Sequence, residues 1–181
     1  ETSATSVEFS TDGTRMYVLG TANDTVFEYE LSIPWLASSA TYSTRSKSVA
    51  SEENIPTGMR FREDGKELFV TGQQYNKIWS YTLSTAWDIS TATLNNSADL
   101  NATNPTGLYM RHDGTRLFVA DDVGNFVQQY DFNSNGITQI DGNLYITSGN
   151  IIFYNNTAYL ATNANVSSQT VFDFTRFTEI D

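Results

Sequence analysis

One phrase occurs three times in this chain. Pro105-Thr-Gly-Leu-Tyr-Met-Arg-His-Asp-Gly-Thr-Arg-Leu-Phe-Val119 has a near copy in Pro56-Thr-Gly-Met-Arg-Phe-Arg-Glu-Asp-Gly-Lys-Glu-Leu-Phe-Val70. A third copy, without the Pro-Thr-Gly lead, is Val7-Glu-Phe-Ser-Thr-Asp-Gly-Thr-Arg-Met-Tyr-Val18. The Asp-Gly pairs therefore fall at Asp12, Asp64 and Asp113, 52 and 49 residues apart. Self-similarity at this period means a supersecondary unit that is repeated, because one unit alone cannot bury its apolar face.

The apolar residues inside each copy alternate, as in Val7/Phe9, Met16/Val18 and Phe27/Tyr29. A period of two is that of a half-buried strand. Asp-Gly between two such runs reads as a tight hairpin turn, with Gly supplying positive φ, and its identical place in each copy argues for a turn over metal ligation. A third strand follows at fixed distance: Tyr17 to Tyr29, Phe69 to Tyr81 and Phe118 to Tyr130 are each 12 residues apart. Four short strands per unit and no helical pattern predict an all-β propeller of about four four-stranded blades, at about 5–55, 56–104, 105–148 and 149–181. The arrangement is a closed four-blade ring, or an arc of a larger or oligomeric propeller. In the arc, unpaired edges would favour homo-oligomers or filaments.

Composition narrows the partners. Ten basic against 21 acidic side chains give a net charge of -11, which opposes nucleic acid and anionic membranes where no basic patch exists. No segment has the apolar length to insert in a membrane as a helix. The absence of Cys removes disulfides and thiolate chemistry. Asn23, Asn95, Asn101, Asn155 and Asn165 head Asn-x-Ser/Thr acceptors for N-glycosylation. With the Ser/Thr/Asn-rich surface, they suggest an extracellular or virion-associated protein.

The phrase Pro-Thr-Gly-x-x-Phe/Met-x-x-Asp-Gly-Thr-x-Leu/Met-Phe/Tyr-Val resembles the inner strand, hairpin and second strand of the YVTN/lactonase-like β-propellers. Leu83-Ser-Thr-Ala-Trp-Asp-Ile-Ser-Thr-Ala92 is also similar to repeats of uncharacterised phage and marine microbial proteins. The resemblance implies that the loop starting each blade and the loop between its second and third strands share a ligand-facing surface. That surface collects Asp24, Tyr75, Asn76, Asp121, Asp122 and Asn125, whose oxygen donors suit a glycan, a protein partner or Ca²⁺, with no cofactor required. Glu8, Arg60, Tyr109 and Ile152 occupy equivalent positions on successive inner strands, and the first three read as a channel lining, with Glu8 and Arg60 as a candidate interblade ion pair. His112, the one histidine, sits at a variable turn position and reads as surface. No catalytic set stands out, so the sequence favours a non-catalytic binding or assembly module, with a lactonase-like hydrolase holding a divalent cation in its channel as the alternative.

Overall fold

A computed structural model describes residues 1–133, 136–147, 150–154 and 158–160, with side chains described through Phe132 and at Ile137. Blade 1 is an antiparallel sheet of β1 (Ala4–Phe9), β2 (Arg15–Gly20), β3 (Thr25–Leu31) and β4 (Ala40–Ser48) in sequential order. Blade 2 repeats it with β5 (Pro56–Phe61), β6 (Glu67–Gly72), β7 (Lys77–Leu83) and β8 (Ala92–Asp99). Blade 3 starts with β9 (Pro105–Met110), β10 (Arg116–Asp121), β11 (Phe126–Asn133) and β12 (Gly136–Thr147). Here the order differs from the sequence expectation. β13 (Asn150–Tyr154) pairs with β12, and β14 (Ala158–Leu160) pairs with β13, so the described strands of repeat four extend the third sheet outward. Ile152 thus lies opposite Tyr145 on an outer strand, not on an inner one. Among the described residues there is no α-helix; single 3-10 turns at Ala37–Ser39 and Ile89–Thr91 precede the fourth strands of blades 1 and 2.

The hairpins form for the reason the sequence gives. Gly13, Gly65 and Gly114 have φ of 71°, 69° and 70°, a region that only Gly enters without cost. The Asp before each glycine closes its turn: Asp12 accepts from Thr14 N at 3.0 Å, Asp64 from Lys66 N at 2.9 Å and Asp113 from Thr115 N at 3.1 Å. Hydrogen bonds from Ser10 and Thr14 favour the ionised Asp12 carboxylate and lower its pKa to about 2.

Each Ser-x-x-Trp corner then folds back over its own turn. Trp35 N donates to Gly13 O at 3.0 Å and Trp87 N to Gly65 O at 2.9 Å. The indoles lie so close that a Cβ on either glycine would come within 2.3–2.5 Å of ring atoms. Both tryptophans have φ of 65°, which costs about 1–3 kcal/mol and persists because the turn fixes them. In blade 3, where this Trp is missing, Arg62 of blade 2 reaches over Gly114, and a Cβ there would meet its Cδ at 3.0 Å.

The blades stack face to face. Tyr17, Leu19, Val26 and Val49 of blade 1 meet Met59, Phe61, Leu68, Val70 and Tyr81 of blade 2 in one core. Phe69 and Ile78, on the opposite face of blade 2, meet Met110, Leu117, Val119 and Tyr130 of blade 3 in another. Strand alternation makes this inevitable: residues 68, 70 and 81 face one way, 69 and 78 the other. The apolar area removed from water at both junctions is the main stabilising term.

Candidate functional site

The inner strands β1, β5 and β9 lie side by side, joined through the repeated Pro-Thr-Gly phrase. Thr5 Oγ1 donates to Pro56 O at 2.8 Å, and Thr57 Oγ1 donates to Pro105 O at 2.7 Å. Gly58 allows the close approach, since a Cβ there would come within 3.3 Å of Leu108 N. These threonine-to-carbonyl bonds bring the positions that differ between copies into one row.

In that row Arg60 Nη1 donates to Glu8 Oε1 at 2.8 Å, and the Arg60 guanidinium lies 5.4 Å from the centroid of Tyr109. The Glu8 side chain is only 15% exposed. Burial pushes its carboxyl above the usual glutamate range, with the Arg60 hydrogen bond opposing the shift. Glu8 and Arg60 also line a cleft of about 340 Å³ between blades 1 and 2, a volume at the small end of ligand sites. Its other walls are Val7, Phe9, Ser10, Thr11, Trp35, Phe61, Glu63 and Trp87. Phe9 lies tilted against Trp35 with ring centroids 5.4 Å apart, and Phe61 against Trp87 at 5.2 Å. The cleft combines a carboxylate of raised pKa, a fixed cation and aromatic walls. Such a set can bind a small polar ring and move a proton to or from it.

Sequence reasoning placed Glu8, Arg60 and Tyr109 together but missed the cleft. Thr11 and Glu63 precede the Asp-Gly turns and vary between copies, so they read as surface. The two tryptophans read as blade-corner packing. Only the folded hairpin brings all four to one wall.

The loop residues at the other end of the blades have different roles. Asp24, Asn76 and Asn125 hold equivalent left-handed positions, with φ of 47°, 51° and 53°, and so turn the chain into β3, β7 and β11. The carbonyls of Asp24 and Asn76 accept from Val49 N and Leu100 N, both at 2.8 Å. Asp121 is 3% exposed and accepts backbone hydrogen bonds from Thr103, Asn104 and Gly124, which keep its carboxyl below the usual range despite burial. Tyr75, 52% exposed, packs edge-on against Trp79 at 6.3 Å. Asp122 is exposed and accepts from the Asn104 amide.

Asp121 replaces a residue from elsewhere in the unit. In blade 2, Glu53 is fully buried and accepts from Ile55 N at 3.0 Å and Gln74 N at 2.9 Å, filling space left by Gly72. In blade 1, Glu1 and Gly20 have the same relation, with Glu1 accepting from Ser3 N at 2.9 Å and Ala22 N at 3.3 Å. In blade 3 the glutamate becomes Ala102 and the glycine becomes Asp121. The carboxylate arrives from the strand instead of the preceding loop, and the same pair of loops is tied.

Asn23, Asn95 and Asn101 are exposed, while Asn155 and Asn165 lie outside the described residues. His112 has a side chain 70% exposed, its Nδ1 3.6 Å from Glu63 Oε1. Among the described residues no three or more His, Cys, Asp or Glu gather as a metal site, and no helix is long and apolar enough to cross a membrane. The loop carboxylates considered for Ca²⁺ form no such cluster among the described residues.

The family model described as "Lactonase, 7-bladed beta-propeller" matches residues 6–152. No curated protein is similar enough in sequence to match. Among solved structures, the chain is similar to a putative 6-phosphogluconolactonase of Bacteroides fragilis, with TM-score 0.62 and 16% identity over 77% of this chain and 38% of that one. It is also similar to a putative 6-phosphogluconolactonase of Bacteroides uniformis, with TM-score 0.61 and 12% identity over 87% of this chain and 49% of that one. A third likeness is to the periplasmic gluconolactonase of Pseudomonas aeruginosa, with TM-score 0.56 and 16% identity over 84% of this chain and 47% of that one. The chain thus spans less than half the length of each.

At these identities the structures speak for the fold, and the family match carries more. It corrects the reading of the chain as a non-catalytic binding or assembly module. That reading rested on no catalytic set standing out, because the residues of the repeated phrase are turn and core positions and say nothing of chemistry. By a match over 147 residues, 6 to 152, and by the propeller-like stacking of its sheets, the chain belongs to the lactonase family of β-propellers.

Proposed function

We propose that this chain takes part in hydrolysis of a small lactone at the inner-strand cleft between blades 1 and 2. The observation that carries the reading is the Glu8–Arg60 pair at 2.8 Å in the wall of that cleft, in a chain of the lactonase family. Water attacks the acyl carbon while Glu8, as carboxylate, accepts one of its protons. Arg60 donates to the oxygen on which negative charge develops, a contribution that grows in a partly desolvated site. The ring C–O bond then breaks, and the leaving alkoxide takes the proton back from Glu8, giving the open hydroxy acid. Trp35 and Trp87 present flat apolar walls to the ring, and Thr11 and Glu63 present polar groups to its substituents.

The test is hydrolysis of δ-gluconolactone followed at pH 5 to 7. Glu8→Gln should lower kcat by ~10²-fold or more, the usual worth of a positioned base, and Arg60→Ala should lower it by ~10²-fold. Activity should rise with pH through a Glu8 pKa above the ordinary glutamate value. Turnover unaffected by either substitution would remove the site. A location outside the cytoplasm is part of the proposal, supported by the polar Ser/Thr/Asn-rich composition and the likeness to a periplasmic propeller.

A further inference from the structure

We propose that Tyr109 of blade 3 is the positioning residue of the cleft: its ring holds the Arg60 guanidinium in place against Glu8, so that a site between blades 1 and 2 is aimed by the third blade. The inference rests on the reading of Glu8 and Arg60 as the pair that acts on a lactone, and it adds a residue that is not part of the cleft wall.

Arg60 needs such a support. A guanidinium carries five N–H donors, and among the described residues the Nη1 bond to Glu8 Oε1 at 2.8 Å is the one hydrogen bond of Arg60. Its Nε is buried with no hydrogen-bond partner among the described residues. The other arginines of these two blades are held differently. Arg45 donates through Nε to Glu28 and through Nη2 to Glu30, and Arg62 donates through both Nε and Nη2 to Asp64. Two-point contacts of that kind fix the plane of the group, whereas a single bond leaves it free to swing.

The strand register supplies the second contact. Arg60 stands opposite Phe69, and Tyr109 opposite Phe118, on the second strand of their own blades. Directly opposed residues share one face of a sheet, so Arg60 lies with Phe69 on the face of blade 2 that meets blade 3. The hydrogen bond from Thr57 Oγ1 to Pro105 O at 2.7 Å ties β5 to β9 a few residues away. The guanidinium is thereby 5.4 Å from the Tyr109 centroid, inside the ~6 Å at which a ring attracts a cation. Tyr109 is itself backed by Phe118, with ring centroids 6.2 Å apart. Arg60 is thus held at one edge by a carboxylate of blade 1 and over its face by a ring of blade 3.

Two consequences can be measured. Arg60 and the Phe9 N–H are the groups that favour the ionised Glu8 against burial, so a guanidinium set free to swing lets the Glu8 carboxyl titrate at higher pH. The charge that Arg60 meets develops in the transition state, so the same loss falls on kcat and not on KM.

The test follows the Glu8 side-chain carboxyl by NMR titration in the parent chain, Arg60→Ala, Tyr109→Leu and Tyr109→Phe. Arg60→Ala gives the full upward shift. Tyr109→Leu should move the carboxyl the same way by roughly half a pH unit, the size of one cation–ring contact. Tyr109→Phe keeps the ring and should leave the carboxyl at its parent value. With δ-gluconolactone, Tyr109→Leu should lower kcat by ~3-fold at unchanged KM, and Tyr109→Phe should match the parent. Tyr109→Gln takes the place of the leucine variant if that one does not fold. A Glu8 titration unmoved by loss of the ring, an equal shift in Tyr109→Phe, or a kinetic loss carried in KM would each overturn the inference. The titration needs no turnover, so a chain inactive on the lactone would remove the reading of the cleft while the carboxyl still decided for or against Tyr109.

Discussion

The two internal junctions share a backbone frame and differ in what fills it. Between blades 1 and 2 the frame encloses charge. Glu28 is fully buried, with Arg15 Nη1 at 3.1 Å and Arg45 Nη2 at 2.7 Å on Oε1, and the Ile89 N–H at 3.0 Å on Oε2. Tyr17 Oη and Arg15 both donate to the Trp87 carbonyl, at 2.5 and 2.8 Å. Between blades 2 and 3 the corresponding position to Glu28 is Ser80, and Phe69 meets Phe132 edge-on at 4.9 Å. The polar junction is also the one that holds the cleft. The frame is therefore set by what the copies share, and chemistry is placed by what they do not.

The largest expected effect breaks the polar junction alone. Glu28→Ala leaves two arginines and a buried N–H facing a cavity, and removing one member of a buried pair costs ~3–5 kcal/mol. Urea unfolding should show it, while Ser80→Ala at the equivalent place should cost under ~1 kcal/mol. Equal losses would mean that the two junctions are not energetically distinct.

Next come the paired tryptophans. Trp87→Ala removes a packed indole and should cost ~3 kcal/mol. Trp35→Ala, at the same place but with the side chain 60% exposed, should cost under ~1 kcal/mol. A melting curve for each variant decides whether burial, not the turn itself, sets the difference.

A smaller effect tests the carboxylate that changed position. Asp121→Gly should cost ~2 kcal/mol by orphaning the backbone amides it binds. Adding Ala102→Glu, which copies the blade 2 arrangement of Glu53 with Gly72, should recover at least half of it. If the double variant is no better than the single, the two carboxylates are not alternatives for one role.

The smallest effect concerns the exposed turn of blade 1. The Asp12 pKa is lowered in the folded state to about 2, so its contribution is present above the unfolded value near 3.8 and is lost as pH falls through 2. Asp12→Asn should thus lower the melting temperature slightly at pH 6 and converge with the parent near pH 2. Glu8 has the opposite sign: its raised folded pKa favours stability below about pH 4.5, declining as pH rises through the folded value.

The hairpins, the four-strand unit and the stacking of inner strands were legible from Asp12, Asp64 and Asp113, because turn chemistry and period-two alternation are local. The joining of repeat four to the third sheet was not, since Ile151 to Phe153 has the composition of an inner strand and of an outer one alike. The Glu8–Arg60 pair was legible because charge at an inner-strand position breaks the pattern. Asp24, Asn76 and Asn125 looked like ligand donors, yet their side-chain type also suits a left-handed turn, and φ cannot be read from type alone. Nor could the cleft be seen, because Trp35 and Glu63 approach Glu8 only after two hairpins have folded.

The central claim is that the cleft acts and the repeated loops support. The most direct measurement compares kcat/KM for δ-gluconolactone in Glu8→Gln and in Asp122→Asn, an exposed loop carboxylate. A loss of ~10²-fold or more in the first with none in the second is the result predicted here. Equal losses, or a loss confined to Asp122→Asn, would contradict it.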